Sequence, residues 1–397
     1  MNELIELYFK DFIKLNRGFD LPEDKIVAGG YPIAASTSIK GYHHQYKVNA
    51  PCVTTGRSGS IGSVLYINES CWPLNTCLYV KDFKGNQHRY VFYFLKMMRL
   101  ENFNTGAGVP TLNQNHLHKL KIKVHLKSEQ ASIASILSAY DDLIEVNNKR
   151  IALLEQMAEQ IYKEWFVRMR FPGFENTEFE KGVPKGWQII PLSSIANILM
   201  GQSPKSEFYN EDGIGLPFHQ GVGSYGMRFP AHDIFCSVSG RQAKKGDILF
   251  SVRAPVGRIN VADKKLIIGR GLAAIRHKGN LQSYLFYLLN YYFQIEDVIG
   301  NGSIFNSVGK EELNNFKILQ PNNDLDKKFD EILSPMDMQI QNLFQQNIIL
   351  KQTRDLLLPR LISGKLRVKN INDNNPDLQV GETDNTKINQ ALATKEG

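Results

Sequence analysis

The sequence is poor in the features that usually announce chemistry. Only four cysteines, Cys52, Cys71, Cys77 and Cys236, stand among 397 residues, with no CxxC pair. That argues against a zinc ribbon or a disulfide framework and for reduced thiols. No run reaches about 18 uncharged apolar residues, so a membrane span is not expected. The N-terminal MNELIELYFKDF carries charges inside its apolar stretch and no basic leader, unlike a signal peptide; a cytoplasmic location is expected. Gly56, Gly59 and Gly62 are not spaced as GxGxxG, and the run from Gly302 to Lys310 has Glu311 where a P-loop needs Ser or Thr. The Asn/Asp-Pro-Pro-Tyr/Phe run of amino-methyltransferases is absent. Glu178-Phe179-Glu180-Lys181 has no Pro-Asp before it and reads as solvated surface. His43-His44 and His116-x-His118 lack a third ligand, so no metal is expected. Nothing resembles a Ser/His/Asp or Cys/His arrangement. The chain should perform no chemistry of its own.

What is present is a duplication. Ile136-Leu137-Ser138 recurs as Ile332-Leu333-Ser334, Asp141 as Asp337, and Leu154 and Gln156 as Leu350 and Gln352, all at an offset of 196. Upstream, Gly106-Ala107-Gly108 recurs as Gly300-Asn301-Gly302, Lys121-Ile122 as Lys317-Ile318, Ile61-Gly62 as Val256-Gly257, and Tyr31-Pro32-Ile33 as Leu216-Pro217-Phe218. The period is far longer than the roughly 20–50 residues of a solenoid. It implies internal pseudosymmetry, which suits a two-part target. Gly18 and Gly201 match at 183 whereas Gly62 and Gly257 match at 195, so the second copy carries about a dozen extra residues between Gln202 and Lys245. Both globular segments are basic: residues 1–127 hold 16 Lys+Arg against 9 Asp+Glu, and residues 171–321 hold 16 against 13. A basic excess there favours a polyanionic partner.

Each copy ends in a heptad seam, the mark of helices packing at a shallow angle. The first runs Ile133, Leu137, Tyr140, Ile144, Asn147, Ile151, Leu154, Ala158, Ile161, Trp165. The second runs Phe329, Leu333, Met336, Ile340, Leu343, Asn347, Leu350, Arg354, Leu357, Leu361. Paired antiparallel with partner numbers summing to 494, Asn147 faces Asn347, Ile144 meets Leu350, Ile151 meets Leu343, and Leu154 meets Ile340. Arg354 falls opposite Tyr140, whose ring face can accept a cation. Ser128 and Glu129 are expected to start the first helix, which should reach about Arg168 before Pro172-Gly173. Asp324 should cap the second, Pro335 should kink or break it near Ser334, and Pro359 should end its regular part before Ser363-Gly364. After Val368 the chain is polar, acidic and free of aromatics, the composition of a disordered tail.

The globular segments read as short strands with turns. Cys52–Thr55, a small-residue loop at 56–62 and Val64–Ile67 form one strand-loop-strand; residues 247–259 form its counterpart. Loops of this kind let a backbone approach phosphate, while an arginine reaches a phosphate oxygen or a guanine edge. Arg57, Arg253 and Arg258 are therefore the leading DNA-contact candidates. Ser58, Ser60, Thr111, Asn113, Arg270, Asn306 and Ser307 are the others. The aromatics of residues 90–100 and 282–297 are expected to be core.

Pro184-Lys185-Gly186-Trp187 with Pro191-Leu192-Ser193-Ser194-Ile195, Lys163-Glu164-Trp165-Phe166 leading to Arg170-Phe171-Pro172-Gly173, and Leu357-Leu358-Pro359-Arg360-Leu361-Ile362-Ser363-Gly364 carry a resemblance. To about Val368, the chain resembles a specificity subunit of a type I restriction–modification system. The first copy lacks a Pro-x-Gly-Trp before Leu7 and starts almost at its domain's first strand. The resemblance implies an α/β (α+β) fold: recognition domains with twisted sheets at 1–127 and 171–321, separated by helices at 128–170 and 322–368 in an antiparallel coiled coil, then a tail at 369–397. It implies that each domain reads half of a bipartite double-stranded DNA site, about one helical turn or roughly 34–36 Å apart. It further implies that the helices bind two adenine-methyltransferase subunits, joined by motor–nuclease subunits. S-adenosylmethionine, ATP and magnesium belong to those partners and none to this chain. A self-contained DNA-modifying enzyme and a coiled-coil scaffold without DNA are the competing classes; the missing motifs oppose the first and the basic halves the second.

Overall fold

The structure is a computed structural model that describes residues 4–299, 307–322 and 324–368. Four helices matter most: α1 (His88–Met97), α2 (Lys127–Tyr162), α3 (Gln282–Ile299) and α4 (Leu325–Ile362). The chain divides into two compact units, Met1–Glu145 with Ile348–Gly397, and Val146–Asn347, so α2 and α4 each contribute to both. The repeat Gly300-Asn301-Gly302, Asn306 and the tail at 369–397 lie outside the described residues.

In the first unit an antiparallel sheet runs in the order Lys14–Arg17, Cys77–Asp82, Cys52–Gly56, Val64–Ile67. Cys52–Gly56 is buried along its whole length because both faces are covered. Val53 joins the core built with Tyr90 and Phe94 of α1, while Cys52 packs with Ala34, Cys71 and Tyr79. A small sheet on that side pairs Tyr31–Ala34 in parallel with Trp72–Pro73. The second unit repeats the plan. Its sheet runs Ala196–Met200, Leu272–His277, Ile248–Ser251, Ile259–Val261. Ile248 and Phe250 face the core of α3, and Leu249 faces the other way, the period of two that a strand imposes. Leu216–His219 pairs in parallel with Leu266–Ile268. Strand pairing is mostly antiparallel, so the fold is mixed helix and sheet in its α+β form. Tyr90, Tyr93, Tyr284 and Tyr287 are buried core residues.

The helix ends depart from the sequence reading. Helix α2 begins at Lys127, with the Leu126 carbonyl accepting from the Glu129 and Gln130 amides; Ser128 therefore lies inside the first turn and is not the cap. A π turn at Lys163–Val167 follows α2, and its wider ring seats consecutive Trp165 and Phe166 on Phe329, at 5.7 and 5.1 Å. Asp324 directly precedes α4, and its carboxylate meets Lys327 Nζ at 2.7 Å. Neither Pro335 nor Pro359 ends α4, which continues to Ile362. Each proline removes one N–H, leaving the carbonyls of Glu331 and Asp355 without their usual donor. Both residues are exposed, so water can serve those carbonyls. Gly364, at φ +72, closes the helix by donating to the Leu361 carbonyl at 3.1 Å.

Within each unit α2 and α4 run antiparallel. In the second, Asn147 Nδ2 donates to Asn347 Oδ1 at 3.0 Å, and Asn347 Nδ2 donates to Asn148 Oδ1 at 2.9 Å. Ile151, Ile340 and Leu343 are buried together, with Leu154 against them. In the first, Ile133 and Leu137 pack with Leu358 and Leu361, Ile144 is buried and Leu350 half-buried. Arg354 does not sit on the Tyr140 ring. It binds the carboxylate of Asp141, one residue further, and Asp355 at 2.8 Å, because a full negative charge outcompetes a ring quadrupole. Tyr93 donates to the same Asp141 at 2.5 Å. The second unit keeps the counterparts: Asp337 accepts from Tyr287 at 3.2 Å. Position 158, equivalent to 354, is alanine, and the arginine arrives instead from Arg228, at 2.6 Å.

The two seam asparagines are 1% and 5% exposed, so removing Asn147 leaves the buried Asn347 Oδ1 without its donor, although Asn347 keeps its bond to Asn148. Asn147→Leu alone should lower stability by about 1–3 kcal/mol. The Asn147→Leu, Asn347→Leu pair should recover most of that loss, since no buried amide then lacks a partner. Denaturant midpoints of the two single variants and the double variant decide it; additive losses would show that the amides are not coupled.

Candidate nucleic-acid interface

In both units the loops at one end of the sheet are held by main-chain bonds that match one for one. The Gly18 amide donates to the Cys77 carbonyl and the Gly201 amide to Leu272; Phe19 donates to Pro73 and Gln202 to Ile268. Leu74 donates to Ala34 at 2.9 Å, and Gly269 to His219 at 2.8 Å. Arg57 donates to Thr76 at 2.7 Å, Val252 to Gly271 at 2.9 Å. Leu112 donates to Arg57 at 2.8 Å, Val308 to Val252 at 2.9 Å. Ser58 bridges Thr111 as Arg253 bridges Ser307. Gly18 and Gly201 are glycine for the same reason: a Cβ would lie 2.2 Å from the Leu74 oxygen and 2.1 Å from the Gly269 oxygen.

The side chains on this shared frame differ. In the first unit Arg57 is half-buried and its Nη1 donates to the Asn75 carbonyl at 3.1 Å, while Asn75 Nδ2 donates to Asp20. Ser36 Oγ ties the loop down at the Thr76 carbonyl, 3.0 Å. Asn104 Oδ1 accepts from the Gly106 and Thr111 amides, both at 2.9 Å, which orders the neighbouring loop. Thr111 Oγ1 donates to Val109 at 3.0 Å. Asn113 Oδ1 caps a short helix at the Asn115 amide, 2.9 Å. Ser60 is exposed.

In the second unit Arg253, Arg258 and Arg270 are exposed, and Arg253 and Arg270 form no ion pair among the described residues. The Arg258 amide donates to Ser251 Oγ at 2.8 Å, and that hydroxyl donates to Pro255 at 2.6 Å. Equivalent positions carry Arg57 and Val252, Ser58 and Arg253, Asn75 and Arg270, Asp20 and Ser203. Asn75, Asp20, Ser203 and the exposed Gln220 were not among the sequence candidates. Asn75 was within reach, since it lies 195 residues before Arg270.

The extra residues of the second copy fall after its first parallel strand, where the offset rises from 185 at Pro217 to 195 at Ser251. They form a strap. Arg228 is buried against Asp337, with its guanidinium 3.4 Å from the Phe286 ring centre, and Phe229 packs on Phe344 at 4.7 Å. A polar chain also crosses it. His219 Nδ1 meets Ser224 Oγ at 2.7 Å, His219 Nε2 meets His232 Nδ1 at 3.0 Å, and His232 Nε2 meets Asp263 at 2.9 Å. No spacing pattern announces this Ser–His–His–Asp line, because three separate segments supply it. Among the described residues no group of three or more His, Cys, Asp or Glu could hold a metal ion, and no helix is long and apolar enough to cross a membrane.

A family profile described as the type I restriction modification DNA specificity domain matches residues 7–156 and again 184–352, once on each copy. The chain belongs to that family. It is 32% identical over 293 residues to the provisional MjaX type I restriction enzyme specificity subunit of Methanocaldococcus jannaschii, covering 70% of this chain and 68% of that one. It is 26% identical over 315 residues to the MjaIX specificity subunit of the same organism, covering 73% and 71%. In fold it is similar to the S subunit of a type I restriction–modification system from M. genitalium, with a TM-score of 0.61 at 17% identity over 93% and 98% of the chains. The chain is thus a DNA specificity subunit of a restriction–modification system and not an enzyme.

The polar chain has a pH signature. Burial first, then the neighbouring His232, push the His219 imidazole down to about 4; Asp263 opposes the shift and Lys264 adds to it. Because the folded value lies below the ordinary 6.5, protons favour the unfolded chain; the stability His219 contributes is complete above about pH 6.5 and declines as pH falls toward 4. His219→Phe should flatten the fall in melting temperature over that window relative to the parent protein. An unchanged slope would show that other groups set it.

Proposed function

We propose that the two units each read one half of a bipartite double-stranded DNA target, and that α2 and α4 recruit two adenine-methyltransferase subunits, to which motor–nuclease subunits are added. The observation that supports this is the matched main-chain frame with unmatched side chains: one docking geometry, two sets of polar tips. Arg57, Ser58, Ser60, Asn75, Thr111 and Asn113 serve the first half. Arg253, Arg258, Arg270, Asn306 and Ser307 serve the second, with arginine suited to guanine edges and phosphates. S-adenosylmethionine, ATP and magnesium act on the partners, in the cytoplasm, and this chain supplies position.

Arg57→Ala, co-expressed with the methyltransferase partner, should weaken binding or relax choice at one half-site only, by about 1–3 kcal/mol if the guanidinium meets a base. Arg253→Ala should do the same at the other half. Methylated adenines mapped in cellular DNA give the readout; equal losses for targets altered in either half would assign these arginines to phosphate or to folding.

In the same reading the helices set the number of unread base pairs. Four residues inserted after Asn148 and four after Phe344 add about one turn, roughly 6 Å, to each helix. The half-site sequences should stay the same while the gap grows by about two base pairs at about 3.4 Å each. A motif with altered bases and an unchanged gap would reject the helices as the ruler.

A further inference from the structure

We propose that Gln220 is a specificity-determining residue of the second unit, contacting an adenine edge in its half-site, with Ser203 and the buried His219 line as the groups that position it. This rests on the reading that these loops face DNA.

Gln220 follows directly on the buried strand Leu216–His219 and is exposed. Its main chain is fixed, since the Gly271 amide donates to its carbonyl at 3.1 Å. Its side chain is fixed as well. Ser203 Oγ accepts from the Arg270 amide at 3.1 Å and donates its proton to Gln220 Oε1 at 2.7 Å. That oxygen keeps a second lone pair, and the NH2 group keeps both hydrogens for a ligand. A carboxamide held in one orientation is the side chain suited to the N6 and N7 groups of adenine. Arg270, joined to it through Ser203, is placed to meet the adjoining phosphate or base.

Two further features point outward. Gly221 and Gly223 follow Gln220, and a Cβ on either would meet nothing within 4 Å. The internal packing of the fold therefore does not demand glycine there, whereas close approach by another molecule would. Beneath the loop, His219 is 1% exposed and Asp263 7%, and the line Ser224–His219–His232–Asp263 pins the residue before Gln220 to the strap. The equivalent of Gln220 in the first unit is Ala35, so the contact has no counterpart in the other half-site.

The test uses the full chain with its methyltransferase partner, mapping methylated adenines for Gln220→Ala, Ser203→Ala, Ser203→Thr and Arg253→Ala. Gln220→Ala should keep the first half-site and the gap, and should cut discrimination at one A·T pair of the second half by about tenfold. Ser203→Ala should relax the same pair, and Ser203→Thr, which keeps the hydroxyl, should restore it. If Arg253→Ala alters the second half while Gln220→Ala leaves the motif intact, the Gln220 assignment is wrong and the DNA-facing reading stands. If neither Arg253→Ala nor Gln220→Ala changes motif or affinity, the face itself is misassigned. Relaxation at a G·C pair, or an even loss across the whole second half, would also overturn the adenine contact.

Discussion

A buried amide without a partner costs more than most side-chain contacts return, and both copies of this chain satisfy theirs in the same way. Thr76 and Gly271 take the amide that follows the central strand, Ala34 and His219 take the amide of the returning loop, and Arg57 and Val252 offer their carbonyls to Leu112 and Val308. None of these bonds involves a side chain. Residue type is therefore free at the positions that face outward, and the two copies use that freedom differently: where one carries Arg57, Ser58 and Asn75, the other carries Val252, Arg253 and Arg270.

The half-buried aspartates follow a different rule. Asp141 and Asp337 occupy equivalent places on α2 and α4, and each accepts from a buried tyrosine. A half-buried carboxylate also needs a cation. Arg354 supplies it once; the equivalent Ala158 cannot, and Arg228 of the strap supplies it instead. The additional segment of the second unit is thus anchored by a charge that the scaffold already required. That explains how a longer loop coexists with an unchanged sheet order.

Much of this is legible in the sequence. The seam was legible because a heptad repeat fixes which helix face is covered, and antiparallel pairing with partner numbers summing to 494 sets the register in which Asn147 Nδ2 meets Asn347 Oδ1 at 3.0 Å. Where the sequence misled, the cause was local. Helical spacing locates Cβ atoms but not the tip of an arginine, so Arg354 reached past Tyr140 to Asp141. Proline was given a breaking power that depends on burial, and the carbonyls it strips here belong to exposed Glu331 and Asp355. Ser203 and Gln220 were invisible for another reason. Their neighbourhood comes from a parallel strand pairing between residues some 50 apart, Phe218 with Ile267, and no periodicity reports such a pairing.

The same division explains which parts of the chain tolerate change. Substituting an exposed tip such as Arg253 leaves every frame bond in place, whereas adding a single Cβ at Gly18 or Gly201 drives it to within about 2.2 Å of a carbonyl oxygen. His219 lies between these cases, because its carbonyl serves the frame while its imidazole serves the strap. Replacing it keeps the strand pairing and releases the loop beyond. Under the proposed function, a subunit built this way changes what it reads at the tips, and how firmly it reads at positions one layer beneath them.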